Sequence, residues 1–94
     1  MSDVVVIARA KAQSGREADI ERALRESAAT SRNEAGCVSY AVLRGDDGTF
    51  MTFERWKDHA EFDKHMTTAH VQLLLHTIVP MLAEPPEIKV MKEV

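Results

Sequence analysis

Between Cys37 and Trp56, two runs of alternating side chains flank the tetrapeptide Gly45-Asp46-Asp47-Gly48. Glycine and aspartate supply turn conformations that other residues resist, so Cys37–Arg44 and Thr49–Trp56 are read as the two strands of one β-hairpin, the first alternating Val38, Tyr40 and Val42 against Cys37, Ala41 and Leu43. An isolated hairpin is at best marginally stable, and the rest of the chain must supply what packs on it. Upstream, Val4 to Ala12 opens with Val-Val-Val-Ile and then alternates small apolar with basic residues, the pattern of another strand. Ser14 and Glu17 have the spacing of a capping box. After them Ile20, Ala23, Leu24, Ser27, Ala28 and Ser31 recur at three and four, the stripe of an amphipathic helix. Gly36 is expected to stop that helix in a left-handed conformation.

Downstream of the hairpin, Asp58 with Glu61 marks a helix start, and Phe62 with Met66 forms a one-sided apolar pair. The step Thr67-Thr68 ends this short helix and caps the next. Val71 to Met81 continues as a strongly apolar helix that Pro80 kinks or ends. Pro85-Pro86 punctuates, and Glu87 to Val94 alternates Ile88, Val90 and Val94 against Lys89 and Lys92 as a closing strand. The order is β-α-β-β-α-β with the second helix in two pieces. It predicts an α+β, ferredoxin-like fold: one domain over residues 1–94, with a four-stranded antiparallel sheet and helices on one face.

That plan leaves a sheet face to explain. A chain of 94 residues buries only about 60 to 65% of the surface it exposes when unfolded, yet 45% of its residues are hydrophobic. The first three strands carry apolar side chains on both faces, such as Val4 and Val6 against Val5 and Ile7. Helices cover one face, so a second copy is expected to cover the other, giving a two-fold dimer of barrel-like form. The 12 basic and 15 acidic residues are interspersed and leave a net charge of −3, which argues against nucleic acid as a partner. One cysteine, Cys37, permits no intrachain disulfide and fits a reducing compartment. With no signal-peptide layout and no apolar run near the roughly 20 residues a membrane span needs, the expected location is the cytoplasm.

The chemistry is concentrated. Trp56, His59, His65 and His70 fall within fifteen positions in a chain with one Trp, one Tyr and four His. Gly36-Cys37-Val38-Ser39-Tyr40, then Glu54-Arg55-Trp56, then His65 and Thr67-Thr68-Ala69-His70, resemble in order and spacing the antibiotic biosynthesis monooxygenase family of dimeric α/β-barrel proteins. The quinol monooxygenase-like and autoinducer-degrading branches look nearest. The resemblance covers almost the whole chain and implies oxidation of an electron-rich phenol or quinol by O2 without flavin, haem or metal. Such a reaction needs a base, donors for an oxyanion and a dry apolar cavity.

His65 is the candidate catalytic base, because imidazole titrates nearest neutral pH and because it matches the family's helix histidine. Trp56, Tyr40 and His70 are the candidate substrate-binding residues: Trp56 to stack on an aromatic ring, Tyr40 to donate a hydrogen bond, His70 to shape the pocket. Each has a plainer reading as core packing or helix capping. Cys37 has no basic neighbour in sequence and is read as a small buried hydrophobe. The histidines at 59, 65, 70 and 76 are spaced by six, five and six, which matches no helical zinc pair, so no metal is expected. A neighbouring branch that degrades haem uses an Asn near the end of strand one. Here Ala8-Arg9-Ala10 stands there, which argues against haem. Gly45 to Gly48 is a hairpin turn, too short and acidic to cradle phosphate. The expected partners are a small aromatic substrate, O2 and a second copy of the chain. Two other readings stay open: an isomerase or degradative enzyme for a small polar carbonyl compound, and a non-catalytic dimeric binding protein.

Overall fold

The structure is a computed structural model that describes residues 3–94. Four strands, β1 (Val4–Lys11), β2 (Cys37–Arg44), β3 (Thr49–Trp56) and β4 (Glu87–Lys92), form one antiparallel sheet in the order β2-β3-β1-β4. Helices α1 (Glu17–Ser31), α2 (His59–Met66) and α3 (Ala69–Ile78) connect them, and a 3-10 turn, Val79–Met81, holds Pro80 after α3. This is the expected β-α-β-β-α-β architecture. Pairing of β1 with both β3 and β4 places the first strand at the centre.

Alternation decides what each strand buries. Along β3, Phe50, Thr52, Glu54 and Trp56 are buried and point to the helices. Val4, Val6 and Ala10 of β1 share that face. Helix α1 turns Ile20, Leu24, Ser27, Ala28 and Ser31 inward, the stripe its spacing predicts. The core forms two clusters. One gathers Ala10, Ile20, Leu24, Phe50, Ile78 and Leu82, and the other Val4, Val6, Ala28, Tyr40, Trp56 and Phe62.

Three local expectations are corrected. Ser14 does not cap α1. The turn closed by Arg16 N–H on the Gln13 carbonyl, with Gly15 left-handed at φ 87°, makes Glu17 the first helical residue, and its carboxylate accepts from the Gly15 amide at 3.0 Å. Gly36 is not left-handed. The helix ends through ordinary turn bonds at residues 33 and 34, and what position 36 requires is the missing side chain, since a Cβ there would lie 2.4 Å from the Glu61 side chain. In β2, Val38 does not share the inward row with Tyr40 and Val42. An irregularity between Cys37 and Ser39 leaves Val38 exposed and pairs Cys37 with Trp56, so the thiol packs at the margin of the second cluster. Smaller shifts are that β1 ends at Lys11, the third helix starts at Ala69, and β4 ends at Lys92.

The predicted breaks in the second helix hold. Asp58 Oδ1 accepts the Glu61 amide at 2.9 Å to start α2. Thr68 Oγ1 accepts from Val71 at 3.4 Å to start α3.

Candidate active site

Thr52 and Glu54 interrupt the apolar inward row of β3 between Phe50 and Trp56, so a carboxyl group lies between the two halves of the core. Glu54 is 3% exposed. Burying a carboxylate is costly unless donors replace water, and two do: Trp56 Nε1–H donates to Oε1 at 2.9 Å and Thr52 Oγ1–H to Oε2 at 2.6 Å. His65, on the last turn of α2, is equally buried, with Nε2 at 3.8 Å from Glu54 Oε1.

On its other side, His65 Nδ1 lies 2.7 Å from Oε2 of Glu34, in the segment between α1 and β2. A carboxylate only accepts, so Nδ1 carries the hydrogen and donates it; in the neutral ring, Nε2 then holds the lone pair. The break at Thr67-Thr68 turns the chain so that His70, at the start of α3, reaches the same carboxylate, Nε2 to Oε2 at 3.2 Å, and Ser31 Oγ at 3.1 Å. The indole of Trp56 packs on the His65 ring at 4.3 Å between centroids, and the Tyr40 ring meets it edge-on at 6.1 Å.

Tyr40 is held as a phenol. Burial pushes its pKa well above the ordinary value, and the nearby Glu54 carboxylate adds to the rise. It can donate a hydrogen bond but cannot serve as a base near neutrality. Burial, followed by Glu34 and Glu54, likewise raises the Cys37 thiol, which keeps it from being a ready thiolate.

A cavity of about 60 Å³ opens beside this cluster. Tyr40, Thr52, Glu54 and His65 supply its polar wall, Val71, Leu74 and Ile78 its helix side, and Ile88 and Pro86 its rim at the sheet edge. Of the four residues singled out from the sequence, His65 and Tyr40 line the cavity. Trp56 is fully buried one layer behind it, with His65 as its stacking partner, and His70 faces Ser31 and Glu34. A larger open groove, about 1040 Å³, runs between α1 and β2 past Arg22, Arg25, Arg32 and Arg44. Asp19 and Glu21 pair three of these guanidinium groups, and Arg32 donates to the Tyr40 carbonyl, so each already has a partner.

Glu54 and Glu34 were missed as site residues. Parity along β3 was a usable signal for Glu54: if Phe50 and Trp56 face the core, so do the two polar residues between them. No local pattern marks Glu34, which meets His65 only through the tertiary fold.

Antiparallel sheet, one helical layer and a buried imidazole between two carboxylates define an α+β, ferredoxin-like protein with an internal polar site. The chain belongs to the antibiotic biosynthesis monooxygenase family, whose sequence profile matches residues 3–75. Among solved structures it is similar to PA3566 from Pseudomonas aeruginosa, at 29% identity and a TM-score of 0.89, covering 100% of this chain and 96% of that one. It is also similar to Rv0793 from Mycobacterium tuberculosis, at 26% identity and 0.93, covering 99% and 96%. A structure described as an antibiotic biosynthesis monooxygenase matches at 25% identity and 0.91, covering 97% and 98%. A Synechocystis relative, the uncharacterized protein sll1783, is 36% identical over 64 residues. The match takes in 66% of this chain and 44% of that protein, so this chain spans less than half of its relative's length.

Proposed function

We propose that this protein is a cofactor-independent monooxygenase for a small quinol or phenol, with His65 as its base. The observation that carries the reading is the contact of a buried histidine with a carboxylate, from which its tautomer follows. Glu34 Oε2 lies 2.7 Å from Nδ1 and can only accept, which assigns the hydrogen to Nδ1 and leaves the lone pair on Nε2 beside a largely apolar cavity shared with a protonated Tyr40. Family membership and the solved relative described as a monooxygenase support the same reaction class.

In this reading Nε2 takes a phenolic proton, and the resulting anion is itself the reductant for O2. Recombination of the two forms a carbon–oxygen bond. One oxygen atom stays in the product and the other leaves as water, so a hydroquinone and O2 yield a hydroxyquinone and water, with all four electrons supplied by the substrate. Tyr40 donates to the developing oxyanion. Glu54 stabilises the imidazolium that forms between it and Glu34. Trp56 and His70 act as positioning residues, the first by packing on His65 and the second by sharing Glu34.

A volume of about 60 Å³ holds O2 or a pair of waters, well below the roughly 300 Å³ at which small-molecule pockets begin. An aromatic ring therefore enters only as flexible Met66, Leu74 or Leu75 yields. The apolar lining weighs against a polar carbonyl compound as substrate. Among the described residues no helix is long and apolar enough to cross a membrane, and the free thiol of Cys37 supports a reducing compartment such as the cytoplasm.

Oxygen consumption with benzo- and naphthohydroquinones, corrected for autoxidation, tests the proposal. Catalysed uptake is expected to fall by about 10²- to 10⁴-fold in His65→Ala with the fold retained. Equal uptake by wild type and variant removes His65 as base, and none above background in either removes the oxygenase.

A further inference from the structure

Glu34, His65 and His70 come from three separate segments, and one ligand atom from each converges on a common point. Oε2 of Glu34 lies 2.7 Å from His65 Nδ1 and 3.2 Å from His70 Nε2, and all three atoms lie within 4.8 Å of one another. We propose that these three side chains form a binding site for a divalent transition-metal ion of the Zn2+ type. Spacing among the histidines gives no sign of this set, because Glu34 joins them only through the fold.

Two imidazoles and one carboxylate are a donor set that suits Zn2+. Tetrahedral bonds of 2.0–2.1 Å separate ligand atoms by about 3.4 Å. The His65–Glu34 separation needs to open by about 0.7 Å and the His70–Glu34 separation by about 0.2 Å, and the two imidazole nitrogens, at most 4.8 Å apart, need to close. The side chains of His70 and Glu34 are 20% and 19% exposed, which gives an ion a way in from solvent. Ser31 Oγ, 3.1 Å from His70 Nε2, or a water can take the fourth position.

The surroundings of His65 match what a ligating imidazole requires. Metal on Nδ1 displaces the hydrogen that Glu34 now accepts, and a neutral ring then carries its hydrogen on Nε2. Glu54 Oε1, of a buried carboxylate, stands 3.8 Å from that atom and must close to hydrogen-bond distance to receive it, as second partners of metal-bound histidines do. One consequence rests on the oxygenase reading: the ion-bound form has no lone pair on Nε2, so loading silences the base. Zn2+ has no redox chemistry of its own and takes no electrons from the substrate.

Calorimetric titration of EDTA-stripped protein with ZnCl2 tests the site without turnover. One ion per chain is expected, with a rise in melting temperature as bound metal stabilises the fold. Affinity should fall at least roughly tenfold in His70→Ala and in Glu34→Gln. It should persist in the double variant His59→Ala/His76→Ala, whose histidines are exposed. Circular dichroism verifies folding, and His70→Gln replaces His70→Ala if the latter unfolds. No saturable binding by wild type, or binding that survives loss of His70 and Glu34 but not of the two exposed histidines, overturns the proposal. Oxygen uptake measured with and without Zn2+ is a separate readout: failure of the oxygenase leaves the titration intact, and unchanged uptake in fully loaded protein removes only the silencing.

Discussion

Tyr40 owes its chemistry to burial and His65 to its hydrogen-bond partner. The phenol has a buried carboxylate nearby and little water, so its neutral form is favoured in the fold. Its folded pKa stands above the unfolded value of about 10. The stability tied to neutral Tyr40 is therefore fully present below about pH 10 and is lost as pH rises through the folded pKa. Denaturant midpoints measured at about pH 9 and about pH 11 should show wild type losing more stability than Tyr40→Phe. Equal losses would mean that other groups account for the alkaline decline. His65 has Glu34 as a hydrogen-bond acceptor, which is why one of its nitrogens is committed and the other is not. A histidine on an apolar helix face looks the same in sequence with or without that partner, so its role was not legible there.

At the scale of elements, what positions the site is a close approach and a break. Gly36 brings the end of the α1–β2 connection against α2, with its carbonyl accepting the Lys57 amide at 2.8 Å and its bare Cα facing Glu61. Gly36→Ala drives a Cβ to 2.4 Å from the base of the Glu61 side chain, where rotation of the carboxylate end brings little relief. Overpacking of this kind costs about 1–3 kcal/mol, to be read from chemical denaturation. A midpoint unchanged from wild type would show that the two segments separate freely. The break between α2 and α3 is the device that aims His65 and His70 at one carboxylate. It was readable as Thr67-Thr68 because threonine caps helices by its own side chain. The start of α1 was misread because a left-handed Gly15 moved the helix onset past Ser14, and the register of β2 was misread because an irregularity at Val38 leaves no mark in the alternation.

For the whole molecule, the side chains of the outer sheet face argue for a partner. Leu43, Phe53 and Met91 are exposed there at 51%, 40% and 47%, beside Val5, Ile7 and Met51. An apolar patch on this scale is what a second copy covers in a two-fold sheet-on-sheet dimer. Light scattering should return twice the 10.5 kDa chain mass at micromolar concentration. Phe53→Glu should shift that mass to one chain without loss of secondary structure. A monomeric wild type would leave the patch to another partner.

Element order, the hairpin and the inward stripe of α1 were determined by the sequence alone. Periodicity and turn chemistry act over a few residues and leave their trace in the chain itself. The pairing of His65 with Glu34 and the approach of His70 to the same carboxylate were decided only by the tertiary structure. These contacts join residues up to 36 positions apart, and contact across such a span depends on how helices settle on a twisted sheet, which no local spacing records.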